Sequence, residues 1–515
     1  MSTGRSRSAS LPLEERVERF VKWIFRGYQP AQWRGPKIIN DSLLGNQFFS
    51  KHEVAVIDSP LLQRLKRIKQ TGLVYQVYPS ATHSRFEHSL GVTTIAERCL
   101  RAIQDRVQVE SGKTVANFDR TCGDLAHLRM AALLHDVGHG LCSHASEQIY
   151  ELLGDLQEFR NSPTYTKNAP GEILSYLMIT SNTFRGWFEE FVVKSCGAKV
   201  DLGLVGELVL GRHKDPNLHF LAQIISSPYD ADKLDYIARD SYYCGLALTV
   251  DLARFYSMIS TATENKHQVL VLRSYVPLEQ ILFSKMMLTG SVYHHQKVKC
   301  LDSMLRSLIQ HIASNPESCS VKFDGADISF ADPVEYLYLT DDEFFNQFQP
   351  FGDDFVGRMI SRFRRRDLFS RSIEISRGTV TEKSWKSYGR KQLLDLADNR
   401  ADLDRAEKAI YESLPDHIKK SCHRGEVLIS VPKQPHIKTD RASVQSSPNS
   451  EIQTIEKFFP VEEWTQAYAH NKWRSYVYAP REYVKEVREA AVGVLKEQLN
   501  IEVDLKRSDE ACHLD

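Results

Sequence analysis

No run of apolar residues approaches the roughly 20 that a membrane-spanning helix needs, and the opening MSTGRSRSAS lacks the hydrophobic core of a secretory signal. No membrane association is therefore expected, and a cytoplasmic location is. There is no excess of charge either. Lys and Arg number 66 against 66 Asp and Glu, so no overall field draws the chain to nucleic acid or an anionic surface. Any basic site has to be local, such as the knot at Arg362, Arg364, Arg365 and Arg366, and nucleic acid is not an expected partner. The nine cysteines include no CxxC pair and no disulfide-framework spacing, and are read as reduced thiols. Internal repeats are missing too.

The remaining composition is that of an ordinary globular chain: 515 residues, 42% hydrophobic and 26% charged, enough for a sizeable core and more than one domain. Its most informative stretch is AALLHDVGHGLCSHASE, residues 131–147. Ala131, Ala132, Leu133 and Leu134 read as buried helix, followed by His135-Asp136 and glycines that release the backbone. Imidazole beside carboxylate at the end of a buried helix suits a hard or borderline divalent ion.

Residues 1–10 read as a disordered arm, and LEERVERFVKWIF from Leu11 as a short amphipathic helix. A turn is expected at Asn40-Asp41, then a helix capped near Asp58-Ser59-Pro60. On that helix Arg64, Lys66, Arg67 and Lys69 form a basic stripe, either a solvated face or a phosphate-binding one. In HSRFEHSLGVTTIAERCLRAI, His88, Val92, Ile95 and Cys99 keep a 3-4 rhythm, which turns His88 inward. Alone, such a histidine is more often a hydrogen-bonded core residue than a ligand; partners from a second helix would decide. IISSPYDADKLDYIARDSYYCGL places Lys233, Tyr236 and Asp240 on one helical face with Asp232 a step round it. Residues 265–276 read as a strand, helices resume from 278, and the texture beyond about 315 turns acidic and aromatic. Residues 432–450 read as an exposed linker.

A mononuclear hydrolytic site needs several protein ligands and open positions for water and a substrate oxygen. His88, His135, Asp136 and Asp232 supply two nitrogens and two carboxylates, a mixture better suited to Mn, Fe or Mg than to closed tetrahedral zinc. HDVGH is not a zincin HExxH, since Asp stands second and Gly138 lies inside. DADKLD fails as a calcium loop, with Asp235 at position six and Ser241 at twelve. His139, His144 and Glu147 are candidate proton-handling groups near the ion, or else helix caps and partners of buried carbonyls.

HSRFEHSLG, LLHDVGHGLCSH and DADKLDYIARD, in this order and separation, resemble the HD-domain phosphohydrolases, in the group holding the SAM-and-HD-domain dNTP triphosphohydrolases and their bacterial relatives. KIIND, IDSPLLQRLKRIKQTG and YHHQKV extend the likeness over roughly residues 36–305. It implies a mostly α fold, with an HD helical core, small β elements and a mixed C-terminal region. The expected domains are an arm and short helix over 1–35, the HD domain over 36–310 and a regulatory or oligomerisation region over 311–515. The resemblance also implies one divalent ion (Mn, Fe, Mg or Zn) on the same four residues, and hydrolysis of a dNTP to deoxynucleoside and triphosphate. A phosphodiesterase of cyclic or oligonucleotides, or a nucleotide sensor, are the alternatives.

By the same resemblance Arg85, Lys233 and Tyr236 contact phosphates, and Asp240 the sugar. Lys37, Asn40, Asp58, Gln63, Arg64 and Lys66 match regulatory nucleotide positions, Lys66 replacing the usual arginine; a nucleotide activator and a homo-oligomer, dimer or tetramer, are then expected. The chain departs from the pattern twice. Where a His-Glu pair is usual it has Gly171-Glu172, so His144 or an altered chemistry takes that role. YHHQKV carries one extra residue. Aligned on Tyr293 it gives Tyr293 as the sugar-facing ring and Lys285 as a phosphate cation; aligned on Lys297 it puts His294 there without the cation.

Overall fold

The computed structural model describes residues 11–30, 35–166, 168–248, 250–348, 354–433 and 442–513. The arm expected over 1–10 lies outside them. The architecture is mostly helical with a few small sheets. Two compact units divide the chain: Met1–Lys285 with Phe323–Phe344 and Lys438–Val461, and Met286–Lys322 with Phe345–Ile437 and Glu462–Asp515.

The first unit opens with α1 (Leu13–Ile24), which buries Leu13, Val17, Phe20 and Val21. An antiparallel hairpin follows, β1 (Lys37–Asp41) and β2 (Gly45–Phe49), where a lone turn had been expected at Asn40-Asp41. The short helices α2 (Lys51–Ile57) and α3 (Pro60–Arg64) lead into a 3-10 turn over Leu65–Arg67. That break splits the expected basic helix. Arg64 turns into the core, while Lys66 and Arg67 stay exposed.

The centre of this unit is α4 (Arg85–Ser111). Ser84 and Glu87 close a capping box that fixes its start, and Gly112 ends it at a φ of 67°. Both of its faces are buried, and it packs against α5 (Asp124–Leu134) and α12 (Ala231–Tyr243). Between these run α6 (His144–Tyr150), α7 (Gly154–Asn161), α8 (Pro170–Thr180), α9 (Asn182–Phe188), α10 (Leu202–Val209) and α11 (His219–Ile225). Apolar from Met130 to Leu134, α5 is wholly interior there. The strand expected over 265–276 is instead a hairpin of Ile259–Glu264 and His267–Leu272, turned by Asn265 and Lys266 at positive φ. Residues 442–444, expected in an exposed linker, are bound to this sheet: Ser443–Val444 pairs with it, and Ala442 and Val444 are buried. Residues 434–441 of that stretch lie outside the described ones.

The second unit carries a three-stranded antiparallel sheet of Ser370–Ile375, Ser475–Ala479 and Leu428–Ser430. Its core gathers Ile373, Ile410, Val477, Val487 and Leu495. The arginine knot is partly spent within this unit, Arg362 on Asp367 and Glu482, and Arg364 on the Phe345 carbonyl. No helix among the described residues is long and apolar enough to cross a membrane.

Candidate metal centre

Three segments distant in sequence meet at one point. His88 comes from the first turn of α4, His135 and Asp136 from the end of α5, and Asp232 from the first turn of α12. The ligand atoms of His88, His135 and Asp136 lie within 4.8 Å of one another. His88 Nε2 is 3.0 Å from Asp232 Oδ1 and 3.7 Å from Asp136 Oδ2. His135 Nε2 is 3.4 Å from Asp136 Oδ1 and 3.9 Å from Asp232 Oδ1. His88 and Asp136 are buried, whereas Asp232 keeps a third of its side chain exposed, so the cluster opens on that side.

The other ring nitrogens decide what these imidazoles offer. His88 Nδ1 donates to Asp235 Oδ2 at 2.8 Å, and His135 Nδ1 to the Ala132 carbonyl at 2.7 Å. Each ring thereby presents Nε2, and both Nε2 atoms are buried without a hydrogen-bond partner. Orphaned acceptors aimed at a cluster of carboxylates fit a cation. The electrostatics agree. Burial opposes charge on His88, yet the neighbouring carboxylates of Asp232 and Asp235 raise its pKa to about 10. Burial likewise opposes ionisation of Asp136, but Arg85, His135 and His139 hold it well below the usual carboxylate range. His88 and its neighbours hold Asp232 low against the same penalty. Positive charge is favoured at this point, and two carboxylates with two imidazoles form a donor set for a divalent ion.

The backbone around His135 is clipped from three sides. Ser175 of α8 accepts from the Gly138 N–H at 2.8 Å and donates to the His135 carbonyl at 2.6 Å. Arg64 donates to the carbonyls of Val137 and His139, both at 2.7 Å. Cys142 and Ser143 then sit at φ of 52° and 51°, a strained conformation for residues with side chains. Asp341 Oδ1 holds the Cys142 N–H at 2.6 Å, and Ser143 Oγ donates to the Lys69 carbonyl and accepts from Arg85 Nε.

Arg85 faces the centre: NH1 donates to Asp136 Oδ2 at 2.6 Å, and NH2 is buried with no partner, a donor left for a ligand. His139 Nε2 approaches Asp136 Oδ1 at 3.3 Å, and burial and Arg85 lower its pKa. His144 is exposed and bonds Glu147 Oε2 through Nδ1 at 2.7 Å. Glu147 is buried; His139, His144 and the Gly171 N–H keep it ionised against burial. His139, His144 and Glu147 thus form one cluster beside the first. Gly171 stands where the resemblance leads one to expect a histidine. A Cβ on Gly171 would stand 2.7 Å from His139 Nε2, so the His139 ring fills the space a side chain at 171 would need.

On α12, Lys233 Nζ donates to the helix cap Asp230 at 2.7 Å, Tyr236 is half-buried, and Asp240 lies 2.7 Å from His83 Nε2. Lys285 belongs to the helix Val276–Leu288 and Tyr293 to the following π-turn; the neighbouring His294 has its pKa lowered to about 3 by burial and Lys299. Of the positions expected to be regulatory, Lys37 pairs with Asp58 at 2.6 Å on the surface, and Asn40 bonds Asn46 across the hairpin. Gln63 and Lys66 line a cleft of about 600 Å³ with Trp23, Phe323 and Tyr338. Arg64 also borders that cleft, with its guanidinium committed to the HD turn. Asp235, His83, Arg239, Asp41 and Ser175 hold groups of the site without lying in its expected residue set.

The model of the HD domain matches residues 85–235, and that of the HD associated region residues 250–507. The uncharacterized protein MJ1154 of Methanocaldococcus jannaschii is 26% identical over 92% of this chain and 86% of its own length. A deoxynucleoside triphosphate triphosphohydrolase SAMHD1 homolog of Dictyostelium discoideum is 27% identical over 60% of this chain. The human deoxynucleoside triphosphate triphosphohydrolase SAMHD1 is 30% identical over 42%. This chain spans 54% and 35% of the lengths of these last two.

Proposed function

The chain belongs to the HD-domain phosphohydrolase family, and on that premise we propose that it hydrolyses deoxynucleoside triphosphates to deoxynucleoside and triphosphate, with one divalent ion held by His88, His135, Asp136 and Asp232. The observation that carries this reading is the pair of buried, unpartnered Nε2 atoms converging with two carboxylates. Once bound, the ion would polarise a phosphate oxygen and lower the pKa of water.

The chain's own groups supply the rest. Arg85 uses NH1 to orient Asp136 and has NH2 for a phosphate oxygen. His144, oriented through Nδ1 by Glu147 and open to solvent, delivers a proton from Nε2 to the departing sugar oxygen. His139 sits between Asp136 and Glu147, packed against Gly171, and steadies both carboxylates. Lys233 and Tyr236 grip phosphates, Asp240 the sugar, and Lys285 is a further phosphate cation. A nucleotide activator on Lys37, Asn40, Asp58, Gln63 and Lys66, acting through a homo-oligomer, belongs to the same reading; Arg64 serves it by bracing the HD turn.

The test is incubation with each dNTP, singly and in mixtures, with Mn²⁺ or Mg²⁺, and chromatography of the products. Nucleoside and triphosphate are expected from the wild type, and neither from His135→Ala or Asp136→Ala. Monophosphate products would turn the assignment to a diesterase, and nucleotide binding without turnover to a sensor.

A further inference from the structure

We infer that Asp41 and Arg239 are positioning residues for the His88 imidazole, so that the β1–β2 hairpin sets the geometry of the metal centre through a buried series of hydrogen bonds. The series is continuous. Asp41, at the end of β1, accepts from Arg239 NH1 at 2.8 Å through Oδ2. Arg239 grips Asp235 with Nε at 2.7 Å and NH2 at 2.9 Å. Asp235 Oδ2 then receives the N–H of His88 Nδ1 at 2.8 Å. The side chains of Arg239 and Asp235 are fully buried, and that of Asp41 nearly so.

Two features separate this from a structural ion pair. The first is Gly91, one turn beyond His88 on α4. Any Cβ there would collide with Asp235 Oδ1 and Arg239 NH2, so the helix is left bare where the pair passes. The second is how Asp41 is fixed. Its Oδ1 accepts the N–H groups of Leu43 and Leu44 at 2.9 and 2.8 Å, which ties the carboxylate to the hairpin turn and leaves Oδ2 only one orientation toward Arg239. A buried ion pair gives little net stability over apolar packing. It does fix direction, and the direction here ends on the nitrogen that decides which face of His88 is offered to a ligand. The hairpin has a separate anchor on α12, Ser42 Oγ to Tyr243 OH at 2.8 Å, which bypasses the series.

This inference rests on the reading of His88 as a metal ligand, and the experiment separates the two. Free Mn²⁺ is titrated against the full chain by its aqueous EPR signal, with thermal melting in EDTA alongside. Partners behind a metal histidine contribute about 10- to 100-fold in affinity when touching it. Asp41→Asn, two bonds further out, is expected to weaken Mn²⁺ binding by about 5- to 30-fold. Ser42→Ala, which loosens the hairpin without touching the series, should stay within about twofold of wild type. If Asp41→Asn does not fold, Asp41→Glu takes its place: it keeps the charge, displaces the carboxylate and should weaken binding in the same direction. Unchanged affinity in the Asp41 variant, or equal losses in it and Ser42→Ala, would overturn the inference. Wild type that binds no Mn²⁺, or His135→Ala that binds as wild type does, would instead remove the metal reading beneath it.

Discussion

Replacing Arg85 with glutamine should separate metal binding from turnover. In the folded chain the guanidinium performs two bonds and withholds a third: NH1 on Asp136, Nε on Ser143, and NH2 buried and unpartnered. If NH2 meets a phosphate oxygen in the transition state, its loss removes a hydrogen bond between charged groups, about 1.5–3 kcal/mol. The shorter, neutral side chain also leaves developing phosphate charge without a counter-ion, so a total of about 3–4 kcal/mol is reasonable. At about 1.4 kcal/mol per decade, kcat/KM falls by about 10²- to 10³-fold. Metal affinity should move the other way. Arg85 competes with any cation for Asp136, and Coulomb's law at an effective dielectric of about 20 assigns several kcal/mol to a unit charge a few ångströms from a divalent ion. Mn²⁺ should therefore bind Arg85→Gln as tightly as wild type or more tightly. Steady-state kinetics at saturating Mn²⁺, paired with the EPR titration, reads both quantities. A parallel drop in affinity and turnover would mean that Arg85 only orients Asp136 and touches no substrate.

Gly171→Ala places a Cβ 2.7 Å from His139 Nε2, so the buried ring has to shift; overpacking of about 1–3 kcal/mol should lower the melting temperature by a few degrees and turnover at least about tenfold, and a variant unchanged in both would show that His139 moves freely. Asp341 offers a pH test. Burial raises its carboxyl from an ordinary 3.8 to about 6, against hydrogen bonds from Lys69 and Cys142. With the folded-state value raised, the stability from protonation is complete below pH 4 and lost as pH climbs through 6, up to about 3 kcal/mol for a shift of about two units. Asp341→Asn lacks that slope, so its deficit against wild type in urea midpoints should be largest at pH 4 and shrink by pH 7. A deficit independent of pH would contradict the assignment.

The residues of the candidate metal cluster were legible because each lies inside a short motif whose helical phase fixes its direction. His88 keeps the apolar 3-4 rhythm of α4, and His135-Asp136 follows the apolar run from Met130 to Leu134. The basic stripe misled for a related reason. Leu61, Arg64, Leu65 and Ile68 also keep that rhythm, a signal that Arg64 points inward, but charge outweighed phase in the reading. The hairpins at Lys37–Asp41/Gly45–Phe49 and Ile259–Glu264/His267–Leu272 were missed because their strands are short and their turns, DSLLG and ENKH, lack the Asn-Gly or Asp-Gly pair that marks a tight turn. Asp235 and Arg239 stand four apart on α12, a spacing that pairs them, but Asp41, the hairpin carboxylate that completes the series, is 198 positions from Arg239.

These omissions share a cause that bears on how the site works. Short-range pattern reveals groups that face the centre, whereas the groups that hold them are chosen by tertiary approach: Asp235 behind His88, Ser175 behind His135, Ser143 behind Arg85. Asp235 on His88, the Ala132 carbonyl on His135 and Ser143 on Arg85 each commit one side-chain atom and leave another bare, Nε2 on both histidines and NH2 on the arginine. A buried polar atom without a partner costs about 1–3 kcal/mol, so a fold that keeps three of them around two ionised carboxylates is less stable empty than filled. A cation and a phosphate that satisfied these atoms would therefore stabilise the folded chain as they bound, and the rigidity that maintains the bare atoms is supplied by the residues that motif reading does not see.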